Sequence, residues 1–227
     1  LLYNVVGIMS AHYGELGMSW MLSIPADYMT SKQKSQLPEG EMPFVDVPDG
    51  AWYRDELSYA YNNGLIAGTS ANMFSPDSLV TRGQVVTVLY RIAGEPSVKG
   101  KTCPFTDLEA GWCRDAIIWA YNAGIASGFS ASSFGENENV TREQLAAFMY
   151  RYADKLVYFG NTDTPEAFDA AFSDAGSVST YAMSAMLWAN GAGIIRGNTD
   201  GTLNPGGTAT RAEFACMMAR FHKLVGC

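Results

Sequence analysis

The sequence predicts an all-α protein made of three copies of a two-helix unit. Three observations carry this: a set of landmarks that recurs three times in one order, a capping signature opening the second helix of each copy, and an apolar stripe of helical period behind each cap. The first landmark is Phe44-Val45-Asp46, then Phe105-Thr106-Asp107, then Phe172-Ser173-Asp174. An aromatic follows (Trp52, Trp112, Tyr181), then a glycine turn: Gly64-Leu65-Ile66-Ala67-Gly68, Gly124-Ile125-Ala126-Ser127-Gly128 and Gly193-Ile194-Ile195-Arg196-Gly197. Each copy closes with a Thr-Arg pair, Thr81-Arg82, Thr141-Arg142 and Thr210-Arg211, at near-constant distance from its Phe.

Each copy therefore reads as helix, glycine turn, loop, helix. In the first helix of copy one, Trp52, Glu56, Tyr59, Ala60 and Asn63 fall on one face, and Gly64 supplies the left-handed stop. In copy two the face is Trp112, Ala116, Trp119, Ala120 and Ala123, ending at Gly124. The second helices start at Thr81, Thr141 and Thr210, with Gln84, Gln144 and Glu213 three residues on, the capping-box pattern. Their stripes run Val85, Val88, Leu89, Ile92; then Leu145, Phe148, Met149, Tyr152; then Phe214, Met217, Met218, Phe221. Gly94 and Pro96 end the first of these helices. A two-helix unit of this size cannot bury its apolar face alone, so the three are expected to pack about a common axis with one shared core. The units are bounded at 43–98, 104–158 and 171–226.

Composition narrows the function. The 227 residues carry 15 Lys+Arg against 23 Asp+Glu, a formal net charge of -8. Without basic clusters, a nucleic-acid or anionic-membrane partner is not expected. Apolar residues reach 48%, the share of a folded chain, while charged residues are only 17% against roughly 25% in typical domains. Two histidines, His12 and His222, and four cysteines without CxxC or Cys/His spacing imply no metal and no cofactor. Residues 1–42 divide into an apolar half and a polar, linker-like half; Leu1 to Ile24 is too interrupted for a membrane span or a signal peptide, and the start at Leu1 is read as a piece of a longer precursor.

These landmarks resemble the S-layer homology family of bacterial cell-surface modules. Its signature runs Phe-x-Asp, Trp, Gly-Ile/Leu-x-x-Gly, then an Asp-Gly-Thr-Phe-x-Pro loop, then Thr-Arg-Ala-Glu. Copy three carries nearly all of it, in Asp200-Gly201-Thr202-Leu203-Asn204-Pro205 and Thr210-Arg211-Ala212-Glu213. Copies one and two keep Phe74 and Phe134 but lose Asp-Gly-Thr, and Phe129 alone retains an aromatic after the second turn glycine. The resemblance implies a pseudo-threefold spindle, extracellular at a Gram-positive type of wall, that anchors an exported cargo domain. Its ligand would be secondary cell-wall polysaccharide, often carrying ketal-linked pyruvate, held in grooves between modules.

The residues themselves leave alternatives. Arg82, Arg142 and Arg211 stand at the first helical position, where the helix dipole disfavours a cation; either an anionic ligand compensates them or they pair with Asp46, Asp107 and Asp174 as struts. With the resemblance they are read as ligand contacts, the aspartates staying between ligand and strut. Removing Arg211 is then expected to weaken wall binding with little change in stability, and most so because copy three holds the fullest motif. Trp52, Trp112 and Tyr181 either head an apolar helical face in the core or stack on sugar; Gly68, Gly128 and Gly197 either serve the turn or let backbone approach a ligand. Phe44, Phe105 and Phe172 are core. Export would permit a Cys103–Cys113 disulfide, the alternative being small buried thiols, at least for Cys216. A glycoside hydrolase would need paired carboxylates; Asp154 and Asp163 are such a pair, without other catalytic marks. A self-assembling surface or adhesion protein is the third class.

Overall fold

The computed structural model describes residues 42–108, 111–156 and 165–225. The described residues form seven helices in order: α1 Arg54–Asn62, α2 Arg82–Ile92, α3 Arg114–Asn122, α4 Arg142–Leu156, α5 Pro165–Ala171, α6 Met183–Gly191 and α7 Arg211–Val225. A short 3-10 turn spans Ala175–Ser177, and the described residues contain no strand, only isolated bridges. The all-α reading holds. Module one carries α1 and α2, module two α3 and α4, module three α6 and α7. Helix α5 precedes module three and buries Phe168 against Phe172 at a centroid distance of 5.5 Å; no landmark of the repeat announces it. Residues 1–41, Asp163 and Cys227 lie outside the described residues.

The long helices begin as their caps require. Thr81 sits in extended backbone, its hydroxyl accepting the Gln84 N–H while the Gln84 side chain accepts the Thr81 N–H at 3.0 Å. Thr141 with Gln144, and Thr210 with Glu213, repeat both bonds. The stripes behind them are buried: Val85 and Leu89, Leu145 and Met149, and Met218 and Phe221 are all fully enclosed. The shorter helices end at Gly64, Gly124 and Gly193, with φ of 73, 71 and 70, which only glycine adopts without strain.

The modules close into a ring. The second helix of each packs on the first helix of the next: α2 on α3, α4 on α6, α7 on α1. Just before each second helix, one buried residue faces the axis and bonds its two counterparts through the main chain. Val80 N–H donates to Ala209 C=O at 3.1 Å, Ala209 N–H to Val140 C=O at 2.9 Å, and Val140 N–H to Val80 C=O at 2.9 Å. A single apolar cluster runs through all three modules, from Phe44 to Phe221. Each module thus lends its apolar faces to its neighbours, the arrangement that surface-to-volume scaling demands of units this small.

Candidate functional site

The three arginines point into the neighbouring module. Arg82 donates from Nε to Phe134 C=O at 3.0 Å and from Nη2 to Ser127 C=O at 2.8 Å. Arg211 does the same to module one, at Phe74 C=O (2.8 Å) and Ala67 C=O (2.7 Å). Arg142 donates to Leu203 C=O at 2.7 Å and forms an ion pair with Glu213. Arg82 and Arg142 are 7% and 6% exposed. Burial, then the like charge of Arg151, lowers the Arg82 pKa. Its guanidinium also lies 4.8 Å from the centroid of the Phe134 ring.

The aspartates grip the same loop residues from the other side. Asp46 accepts the N–H groups of Phe74 (2.8 Å) and Ser75 (2.7 Å). Asp107 accepts those of Phe134 and Gly135, both at 2.8 Å, with the Ser133 hydroxyl at 2.7 Å. Asp174 accepts those of Leu203 (2.7 Å) and Asn204 (2.8 Å). The second residue of each pair turns through positive φ: 58 at Ser75, 72 at Gly135, 49 at Asn204. Burial raises the Asp107 pKa, but the Gly135 and Phe134 amides and the Ser133 hydroxyl together outweigh it and hold the carboxyl below its ordinary value. The arginines and aspartates are linked, then, through an intervening loop residue and not as direct ion pairs.

The helix N-termini behind the arginines are already satisfied. The N–H groups of Arg82 and Gly83 donate to Glu138 and Glu136 of module two at 2.9 and 3.0 Å. Those of Arg142 and Glu143 reach Gly207 and Pro205, and those of Arg211 and Ala212 reach Ser78 and Pro76. Neighbouring carbonyls take the first two donors and the threonine cap the third, so these amides are not open to an anion.

The three aromatics are exposed, 65% at Trp52, 58% at Trp112 and 55% at Tyr181. Their place explains it. Tyr53, Cys113 and Ala182 are the N-caps, so each aromatic stands one residue before the cap, outside its helix and off the buried face. The core alternative for them is overturned; in α1 the buried face is Leu57, Ala60 and Tyr61. The second turn glycines are seats for the Phe of the first landmark. A Cβ on Gly68 would stand 2.5 Å from the Phe44 ring, one on Gly197 2.5 Å from Phe172, and one on Gly128 would collide with Phe105.

The family comparison matches this geometry segment by segment. Residues 43–86, 104–146 and 171–215 each match the S-layer homology domain. The chain belongs to the S-layer homology family. It is 35% identical to an endoglucanase of Bacillus sp. (strain KSM-635) over 82% of this chain and 19% of that protein. It is 31% identical to the surface-layer 125 kDa protein of Lysinibacillus sphaericus over 69% of this chain and 13% of that protein. It is 21% identical to a cellulosome-anchoring protein of Acetivibrio thermocellus over 79% of this chain and 39% of that protein. The chain thus spans well under half the length of these relatives. S-layer homology modules are cell-surface anchoring modules, and the chain is extracellular, at the cell wall or S-layer.

The three S-layer homology modules meet at unlike junctions. Where module two meets module one, its buried Glu136 accepts from its own Cys113 thiol at 3.3 Å, and the Glu136 carbonyl takes the Gly83 N–H of module one. Between two and three, buried Glu143 holds Ser179 and Tyr181. Between three and one, Glu56 pairs with Arg220 at 2.9 Å and Tyr59 bonds His222 at 2.9 Å. The Asp200-Gly201-Thr202 loop is a closed turn in which Asp200 accepts the Thr202 N–H and hydroxyl. That loop leads to Leu203, the partner of Arg142, whereas Arg211 works against module one; the most complete motif set is therefore split between two junctions. The Cys103–Cys113 disulfide is not formed: Cys113 donates to Glu136 instead. Asp154 pairs with Lys155 at 3.0 Å. Among the described residues no group of three or more His, Cys, Asp or Glu side chains is placed to hold a metal.

Proposed function

We propose that this chain fastens an exported protein to the bacterial wall by binding secondary cell-wall polysaccharide in the grooves between modules, without catalysis of its own. One observation carries the reading: three large aromatics at equivalent places are held in solvent beside the module junctions, where burial would have been the more stable outcome. In this reading Trp52 and Trp112 stack on sugar rings, with Tyr181 at the equivalent place in module three. Arg82, Arg142 and Arg211 brace the loops and supply positive charge for the carboxylate of a pyruvate ketal. Asp46, Asp107 and Asp174, with Gly68, Gly128 and Gly197, fix the loops underneath.

The endoglucanase name belongs to a protein of which this chain spans 19%, and we take the matched part to be its anchor and not its catalyst. The names of the surface-layer and cellulosome-anchoring relatives support the same reading. The test is a pull-down against purified wall sacculi, intact or stripped chemically of wall polysaccharide. Binding to the intact sacculi alone is expected. Equal binding to both would redirect the reading toward protein self-assembly at the surface, and release of soluble sugar toward an enzyme.

A further inference from the structure

Glu143 is the second residue of α4; the equivalent residues of α2 and α7 are Gly83 and Ala212. Its side chain is 7% exposed and crosses into module three. There it accepts the Ser179 N–H at 3.0 Å, the Ser179 hydroxyl at 2.8 Å and the Tyr181 hydroxyl at 3.0 Å. Three donors of module three thus converge on a carboxylate that module two contributes. Burial, and then the bond to Glu143, pushes the Tyr181 phenol up to about 12, so it stays protonated as a donor. No carboxylate stands at the equivalent helix position of the other junctions, where the nearby acids are buried Glu136, bonded to Cys113 of its own module, and Glu56, paired with Arg220. Gly83 has no side chain, and a Cβ there would already stand 3.0 Å from the Glu136 carbonyl oxygen and 3.3 Å from Cys113 Sγ. Ala212 offers only a buried methyl, and Trp52 and Trp112 have no hydroxyl to tether.

We infer that Glu143 is a built-in carboxylate that fills the groove between modules two and three and closes it to an acidic saccharide. The inference rests on the proposed function and concerns how many grooves serve it. An incoming carboxylate would have to displace Glu143 from its three donors, or lie beside its charge where little water screens the repulsion. The aromatic of this groove is also held by its hydroxyl, so it cannot swing to follow a sugar ring.

Titration calorimetry of the full chain with a methyl hexoside bearing a 4,6-pyruvate ketal, and with the same hexoside lacking it, tests the inference. The wild type sets the reference number of ketal-bearing molecules bound per chain. Glu143→Ala is expected to bind one more molecule per chain than the wild type, and Glu143→Gln one more at least tenfold more weakly, because the amide removes the charge but keeps the bulk. The glutamine variant preserves the packing should the alanine variant fail to fold; melting curves accompany both. The same number bound by the wild type and by folded Glu143 variants overturns the inference and leaves the anchoring reading intact. No binding of the ketal-bearing sugar by any of them overturns the grooves as acidic-glycan sites, and this inference with them.

Discussion

Arg82 and Asp107 hold opposite ends of one residue. The guanidinium of Arg82, from module one, takes the carbonyl of Phe134, and the carboxylate of Asp107, from module two, takes its N–H. Arg142 and Asp174 do the same to Leu203, and Arg211 and Asp46 to Phe74. Each brace crosses a module boundary, so the two most recognisable charged positions of the repeat hold the ring closed.

Because these bonds involve a charge and a buried partner, losing either should cost stability. Arg82→Ala and Asp107→Ala are each expected to lower unfolding free energy by about 1.5–3 kcal/mol. The double variant should lose less than the sum, since both act on Phe134. Arg211→Ala, whose dipole position alone would suggest no loss, is expected to fall in the same range because it leaves the Phe74 and Ala67 carbonyls unpartnered. Urea unfolding of the four variants decides; full additivity would separate the two residues.

Gly68→Ala and Gly128→Ala should each destabilise by about 1–3 kcal/mol through overpacking against Phe44 and Phe105. Gly50→Ala, with nothing near its Cβ, is the control and should be near neutral. Thermal melts measure the difference, and equal melts would remove the ring-seat account.

Truncating the exposed aromatics should act on binding only. Trp52→Ala and Trp112→Ala are expected to reduce sacculus retention at least tenfold with the melting temperature unchanged. Retention that survives in the double variant would place the glycan elsewhere.

Acid should loosen the ring. In the folded chain Asp107 has its pKa held down by its three donors against burial, and Glu56 by the Arg220 hydrogen bond and charge against burial. A carboxyl depressed in the folded state binds protons more readily when unfolded. The stability it contributes is therefore complete above its unfolded value of about 4 and drains away as pH falls below it. Melting temperature should be flat from neutral pH to about 5 and fall steeply below about 4, with Asp107→Asn showing a shallower fall. An identical slope in that variant would assign the acid loss to other carboxyls.

Thiol reactivity should follow burial. The Cys113 thiol is pushed up to about 12 by burial and then by its bond to Glu136, and that of Cys216 to about 12 by burial and then by Glu56. Alkylation of the folded chain at pH 8 with peptide mapping should modify Cys103 and spare both. Ready labelling of Cys113 would show that the first junction opens.

The repeat, the helix starts and the apolar stripes were legible because they are local. A capping threonine and its Gln or Glu lie three residues apart, and a stripe such as Leu145, Phe148, Met149 and Tyr152 obeys the period of one helix. Helix α5 escaped because it occurs once and no repeat flags it. The first helices were drawn too early, at Trp52 and Trp112, since periodicity cannot see that Tyr53 and Cys113 are the caps. What the sequence by itself determined is the family, the three modules and the two helices of each. Only the tertiary structure decided what the motif residues do, because every arginine has its partners in the next module and every aspartate holds a loop nearly thirty residues downstream. Glu143 shows the limit most plainly. In the chain it is one variable residue in a Thr-Arg-x-Gln motif, and only the approach of Ser179 and Tyr181 from module three makes it a buried carboxylate with three donors.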